Sequence, residues 1–348
     1  MNDTITVISL TPSGLRFLDQ TRLPRETIMI DTADYRIVIE AIRSLRLRGA
    51  PLIGIAAAYG LTLAAREWIN TEQSDYDLFY DSMCSVCDAF AATRPTAVNL
   101  FWTLGRMRKL LGRRQSPETL TTVLEEEARA LHADDARRCT AIGRHGVTLI
   151  PPHAGVITHC NTGALATGGD GTAFAVLLAA HRQGRDIHVF ADETRPLLQG
   201  ARLTMWELLR HGIPATLITD GTAAMLMRQG RVQVAITGAD RIAANGDTAN
   251  KIGTYALAVN AQHHGIPFYI AAPLSTMDMT LQSGDAIPIE ERAGEEITRI
   301  GDTWIAPEGI DTYTPAFDVT PSELITGFIT ERGLLTPPFT ETLHDPHP

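Results

Sequence analysis

Residues 156–193 read VITHCNTGALATGGDGTAFAVLLAAHRQGRDIHVFADE. A short apolar run ends at Cys160, and a loop of Asn, Thr, Gly and Ala fills residues 161–171. A helical pattern begins near Thr172, and a second apolar run closes on Asp192 and Glu193. Strand, loop, helix and strand in that order is the unit from which parallel sheets are wound. The pattern continues downstream: ATLITD, VQVAITGAD and FYIAAP alternate with ARLTMWELLRHG, AAMLMRQG and NKIGTYALAVNAQHHG. The spacing predicts an α/β fold, with a Rossmann-like parallel sheet covered by helices on both faces over residues 146–348. In such sheets ligands bind beyond the carboxyl ends of the strands. Cys160, Asp192, Glu193, Asp220 and Asp240 all fall at those ends.

Residues 1–145 read differently. TVISL and ETIMID form a small β region with LDQTRLP between them. DYRIVIEAIRSLRL, an Ala-rich run, DLFYDSMCSVCDAFAAT, AVNLFWTLGRMRKLL and a long pattern from Glu118 to Gly146 have helical spacing, punctuated by Pro95 and Pro117. This predicts a mainly helical N-terminal domain. The proline-rich end from Thr336, TPPFTETLHDPHP, is expected on the surface.

Composition narrows the function. The 348 residues are 44% hydrophobic and 20% charged, as in globular proteins. A net charge of −10 argues against nucleic acid or an anionic membrane as partner, while leaving room for a small anion held by local cations. Four cysteines without a framework of spaced pairs fit a reducing cytosol. The start, MNDTITVISL, has no basic segment followed by an apolar core. GAPLIGIAAAYGLTLAA approaches membrane-spanning length, but its Gly and Ala content predicts a closely packed buried helix. We therefore expect a soluble, cytoplasmic protein.

The residues at the strand ends each allow two readings. The loop after Cys160 leads into a helix N-terminus, where free N–H groups favour an anion. Its spacing is not G-x-G-x-x-G and the loop is too long for that turn, so no nicotinamide cofactor is expected. Cys160 is either a small buried hydrophobe or a functional thiol. His153, His159 and Cys160 lack zinc-site spacing, and Cys84 and Cys87 lie in a helical pattern without a second pair, so no metal is expected. Asp240 is either a turn aspartate or a poorly solvated acid whose raised pKa suits proton donation. Of 30 basic residues only Lys109 and Lys251 are lysines. Lys251, at the start of a predicted helix, is placed to grip a phosphate. Arg48, before Gly49 and Ala50, and Arg94, opening RPTAVNLFW, are either solvated charges or phosphate ligands. Gln199, near another helix start, suits a sugar hydroxyl or a surface position. Together these residues describe a pocket for a phosphorylated small molecule, with a thiol and a carboxyl group on adjoining strand ends. That chemistry is proton transfer on a sugar phosphate.

RGAPLIGIAAAYG, RPTAVNLFWTLGRM, THCNTGALAT, DETRPLLQGARLT, GADRIAANGDTANKIGTYALAV, AAPLSTMD, IPIEER and PAFDVTPSELITGFITERG resemble the 5-methylthioribose-1-phosphate isomerase family, from LDQTRLP to the tail. That family is related to the regulatory subunits of the eukaryotic translation-initiation exchange factor and to ribose-1,5-bisphosphate isomerases. The resemblance implies an aldose–ketose isomerase of methionine salvage, a homodimer, with no cofactor. It implies catalytic roles for Cys160 and Asp240, and substrate contacts at Arg48, Gly49, Ala50, Arg94, Gln199, Asn250 and Lys251. Thr162 stands where many members have Ala, and Tyr313-Thr314-Pro315 where Asn-Pro is common. The alternatives are isomerisation of 5-deoxyribose 1-phosphate or ribose 1,5-bisphosphate, and a non-catalytic regulatory subunit.

Overall fold

The computed structural model describes residues 6–71, 73–94 and 97–344. The first half of MNDTITVISL, Pro95 and the last four residues of the proline-rich end therefore lie outside the described residues. The described chain divides into two compact units. The first runs to Cys139 and includes Ala164–Gly171; the second comprises Thr140–Gly163 and the chain from Thr172 onward.

In the first unit β1 (Ile8–Thr11), β2 (Gly14–Leu18) and β3 (Met29–Thr32) form an antiparallel sheet in that order. The stretch GLRFL, not singled out in the sequence, is its central strand, with Phe17 and Leu18 buried. Helices α1 (Tyr35–Arg43), α2 (Ala50–Ile69), α3 (Tyr76–Ala91) and α4 (Val98–Leu111) follow, and α5 (Pro117–Gly146) leads into the second unit. Asp34 caps α1 by accepting the Arg36 N–H at 2.8 Å. Helix α2 is long and apolar enough to cross a membrane, yet 78% of its most apolar window is buried inside the protein. Its small residues explain why. A Cβ on Gly60 would lie 2.2 Å from the Phe90 ring of α3, and one on Gly54 would lie 2.7 Å from the Thr103 hydroxyl of α4. Backbones this close leave room for no side chain.

The second unit holds a seven-stranded sheet. Its strands in chain order are β4 (Gly155–Thr158), β5 (His188–Asp192), β6 (Ala215–Ile218), β7 (Val234–Thr237), β10 (Phe268–Ala271), β15 (Gly327–Thr330) and β16 (Gly333–Leu335). They lie side by side as β16-β15-β10-β7-β4-β5-β6, all parallel except β16. Helices α6 (Ala173–Arg182), α7 (Met205–Arg210), α8 (Ala223–Arg228) and α9 (Thr254–His263) connect them. Alternate strand residues feed two cores. Val156, Val189, Val234 and Ile236 pack with Phe174 and Leu177 of α6 and Leu208 of α7. Ile157, Phe190 and Ala235 pack with Leu226 of α8 and Leu257 of α9. Burial on both faces is why these strands read as unbroken apolar runs.

A second sheet, in the order β11-β8-β9-β14, was not expected. It comprises β8 (Arg241–Ala243), β9 (Thr248–Lys251), β11 (Met277–Asp278) and β14 (Phe317–Thr320). Strands β12 (Arg299–Ile300) and β13 (Thr303–Trp304) pair separately. Two expectations are corrected here. Lys251 ends strand β9, paired with Phe317 of β14, and α9 begins only at Thr254. The proline-rich end is not all surface: Phe339 and Leu343 are buried in the second core, with the Phe339 ring 4.7 Å from Phe328.

Candidate active site

The order of strands decides where a site forms. From β4 the chain winds outward through β5 and β6, then returns to β7 on the other side of β4. The helices following β4 and β7 consequently leave in opposite directions, opening a crevice at the carboxyl ends of this pair. Val156 lies beside Val234 and Ile157 beside Ala235. The segment after β4 carries Cys160, and the segment after β7 carries Asp240. Asp240 is half-buried, and its N–H donates to the Ala249 carbonyl at 2.9 Å, which ties it to β9 just before Asn250 and Lys251.

Cys160 occupies an unusual turn. Its φ is +62°, in the left-handed region that a non-glycine residue enters only when its surroundings hold it there. The Cys160 N–H donates to the Thr194 hydroxyl at 2.9 Å, and the Thr204 hydroxyl donates to the Cys160 carbonyl at 2.6 Å. Thr194 is itself in the left-handed region, at φ +64°. Both oxygens of Asp220 hold it, accepting the N–H groups of Thr194 and Arg195 at 2.7 and 2.8 Å. The strand-end acids flagged in the sequence are thus partly scaffolding for the thiol.

Thr204 closes a π-helical turn, Gly200–Thr204, that leads into α7. Such turns often mark functional sites. Gln199 stands at its head; the residue is 7% exposed, and its buried Oε1 has no hydrogen-bond partner in the protein. A buried acceptor left unmatched calls for a ligand or water. After Cys160, Asn161 donates to Glu207 at 2.5 Å and to Thr204 at 3.3 Å. Thr162, a departure from the family pattern, accepts the Phe174 N–H on its hydroxyl at 3.2 Å. The α6 N-terminus, expected to be open to an anion, is therefore partly capped by the chain itself.

Asn250 and Lys251 are both buried. Asn250 donates to the Thr254 hydroxyl at 2.9 Å, and that hydroxyl donates to the Lys251 carbonyl at 2.7 Å. The Lys251 ammonium donates to the Ala316 carbonyl at 2.7 Å and lies 4.6 Å from the centre of the Phe317 ring. A carbonyl and an aromatic face are thus among the groups that hold this charge.

Sequence reading weighed His159 only as a zinc ligand and gave it no other role. Its Nδ1 lies 3.0 Å from Asp192 Oδ2 and its Nε2 lies 2.8 Å from the Ile252 carbonyl, with both side chains buried. Burial pushes the Asp192 carboxyl up to about 6, against the pull of His159. Burial alone would lower the His159 pKa, but the hydrogen bond and charge of Asp192 outweigh it and raise it. His159, Asp192 and Asp220 bring one ligand atom each within 4.8 Å of one another, as a metal would require. Both nitrogens of His159 and both oxygens of Asp220 are already engaged, however, which makes the cluster a hydrogen-bonded framework. The signal available in the sequence was positional: His159 precedes Cys160, and β4–β5 pairing sets it beside Asp192.

Arg48, Gly49, Ala50 and Arg94 belong to the first unit. Gly49 precedes α2 at φ +98°, and a Cβ there would lie 2.5 Å from Ala166 Cα. That contact helps seat Ala164–Gly171 on the first unit. Gln20 donates to the Leu165 carbonyl at 2.7 Å, His132 Nε2 to the Gly168 carbonyl at 3.1 Å, and the Gly168 N–H to Asp135 at 2.6 Å. Arg48 is half-buried immediately before Gly49, and Arg94 is half-buried after α3.

The initiation factor 2 subunit family model matches residues 46–337. The methylthioribose-1-phosphate isomerase of Heliobacterium modesticaldum is 54% identical over 331 residues, covering 94% of this chain and 95% of its own. The crystal structure of 5-methylthioribose 1-phosphate isomerase from Pyrococcus horikoshii matches with a TM-score of 0.91 at 42% identity, covering 98% of this chain and 95% of that one. A crystal structure of translation initiation factor eIF-2B, subunit delta, from A. fulgidus matches with a TM-score of 0.85 at 42% identity, covering 97% of each chain. The chain belongs to the initiation factor 2 subunit family, among its methylthioribose-1-phosphate isomerases.

Proposed function

We propose that this protein isomerises 5-methylthioribose 1-phosphate to 5-methylthioribulose 1-phosphate, an aldose–ketose step of methionine salvage. The observation that carries this reading is the pair formed by Cys160 and Asp240, on the segments leaving adjacent strands at the switch point of a parallel sheet. Identity of 54% to an isomerase of that name across nearly the whole chain supports the substrate.

The chemistry follows from the substrate. Its anomeric phosphate locks the ring, so the ring must open before hydrogen moves. In our assignment Asp240 donates a proton to the ring oxygen. Hydrogen then passes from C2 to C1, either as a proton through an enediolate or as a hydride. C2 is oxidised as C1 is reduced, so the balance calls for no external redox cofactor. Cys160 acts beside these carbons, shuttling the proton or stabilising the transition state. We assign Arg48, Arg94 and Lys251 to the phosphate, and Gly49, Ala50, Gln199 and Asn250 to the remaining substrate contacts. The buried, unmatched oxygen of Gln199 supports a hydroxyl partner there. We further propose a homodimer working in the cytoplasm on a small sugar phosphate, independent of membranes and nucleic acids.

A regulatory role has one observation in its favour, the A. fulgidus structure named as an initiation factor subunit at 42% identity. Retention of both Cys160 and Asp240 favours catalysis. The test is an NMR assay of the purified protein with 5-methylthioribose 1-phosphate and no added cofactor, beside Cys160→Ala and Asp240→Asn. Ketose formed by the wild type and lost in both folded variants supports the assignment. A folded wild type that makes none rejects this substrate, and 5-deoxyribose 1-phosphate and ribose 1,5-bisphosphate are assayed next.

A further inference from the structure

His159 joins three segments of the second unit. It follows β4 directly and precedes Cys160, its Nδ1 reaches Asp192 at the end of β5, and its Nε2 reaches the carbonyl of Ile252, next to Lys251. The ring also fills the space over Gly253, where a Cβ would lie 2.6 Å from His159 Cε1. Asp318 fixes the same turn from β14, accepting the N–H groups of Gly253 and Tyr255 at 2.7 and 3.1 Å.

The partners decide where the hydrogens are. A carbonyl only accepts, so His159 Nε2 carries a hydrogen. Nδ1 and Asp192 Oδ2, 3.0 Å apart in a buried setting, require one more hydrogen between them, since two facing lone pairs would repel. The charged groups acting on this pair include Asp220 beyond β6, Asp318 on β14 and Glu193 beside Asp192, all acidic, while the nearby cation, Lys251, turns its ammonium to the Ala316 carbonyl. Such a field favours an imidazolium next to a carboxylate. Asp192 Oδ1 has no protein partner, so His159 is the hydrogen-bonding anchor of this carboxylate.

We propose that His159, held as an imidazolium by Asp192, is a positioning residue that clamps the Cys160 turn to the Asn250–Lys251 strand end, and that loss of this one proton opens the clamp and stops turnover. The proposal rests on the isomerase reading above and deepens it. It accounts for a doubly engaged, buried histidine directly before the assigned thiol.

Asp192→Asn separates geometry from charge. The amide matches the carboxylate in shape and can donate a permanent N–H to the lone pair of a neutral His159 Nδ1. Its hydrogen cannot be lost as pH rises. At neutral pH the variant is expected to retain activity within about tenfold of wild type, as for one altered buried hydrogen bond. As pH rises beyond the ordinary histidine value of about 6.5, its activity relative to wild type is expected to climb, because only the wild type surrenders the proton. A variant profile that superimposes on the wild type after scaling overturns the proposal. The second readout uses the unaltered protein: nitrogen NMR of 15N-histidine-labelled enzyme, with the His159 resonances assigned by their loss in His159→Asn. Hydrogen on both ring nitrogens at the pH of activity is expected, and an unprotonated Nδ1 there overturns the clamp. Absence of wild-type turnover would instead strike the isomerase reading, and the ring-nitrogen spectrum would still decide the clamp.

Discussion

The Thr194 hydroxyl accepts the Cys160 N–H at 2.9 Å, so the backbone of the assigned thiol is held by a residue 34 positions downstream. Both residues have left-handed backbones, and neither has the glycine that makes such a conformation free of strain. Thr194→Val keeps the shape of the side chain and removes the acceptor. The Cys160 N–H then loses its partner, at a cost of about 1–3 kcal/mol. We expect a lower melting temperature and a kcat reduced at least about tenfold, since the turn carrying the thiol is no longer fixed. Steady-state kinetics with a thermal melt check both. An unchanged kcat at lower stability would confine Thr194 to a structural role.

Gly49 makes a sharper steric prediction. Its φ of +98° is strained for any side chain, and a Cβ would press on the backbone of Ala166, which cannot swing aside as the tip of a side chain can. Gly49→Ala is expected to cost about 2–5 kcal/mol, combining backbone strain with overpacking. Denaturant unfolding of variant and wild type measures it. A loss below about 1 kcal/mol would mean that the 164–171 segment yields easily and that Gly49 is not its seat.

The fold was legible wherever one chemical pattern served one structural purpose. β4, β5, β7 and β10 are buried on both faces, so their β-branched runs announced a parallel sheet. Strand β9 was not legible, because Thr-Ala-Asn-Lys has neither β-branched enrichment nor alternation, and the helical pattern of α9 begins three residues later. Its strand character comes from pairing with β8 and with β14, 66–72 residues on. Phe339 and Leu343 were hidden in the same way, by proline-rich neighbours that signal surface although these two side chains reach the core. In the site, Cys160 and Asp240 stood out as polar residues at the ends of apolar runs. The framework around them did not, since Thr194, Thr204 and His159 acquire their roles only through strand register and a π-turn.

Asp135 links the pH of the solution to the stability of the first unit. Burial raises its carboxyl from 3.8 to about 6, although the Gly168 N–H donates to it. The folded state therefore holds this proton more tightly than the unfolded chain does. The resulting stability is fully present below about pH 4 and is lost as pH rises through about 6, with an amplitude on the order of 3 kcal/mol. Asp135→Asn removes the ionisation and keeps an oxygen for the Gly168 N–H. Relative to wild type, the variant is expected to gain stability between pH 4 and pH 7, seen in denaturant midpoints across that range. Parallel curves for the two proteins would show that Asp135 titrates normally.

Lys251 distinguishes a compact charge from a merely positive one. Its ammonium donates to the Ala316 carbonyl at 2.7 Å and lies 4.6 Å from the centre of the Phe317 ring. A guanidinium is planar and broader, with donors in a rigid fork, and does not reproduce the contacts of a compact ammonium. Lys251→Arg is accordingly expected to behave like Lys251→Met. Each should raise KM by about 10–100-fold, the worth of one charge-assisted hydrogen bond to a phosphate. Inhibition by inorganic phosphate should weaken in step, which separates phosphate binding from chemistry on the sugar. Circular dichroism of the two variants checks that the fold is kept. If Lys251→Arg instead holds the wild-type KM, positive charge alone suffices at this position, and the geometry of the Ala316–Phe317 seat has no part in choosing lysine.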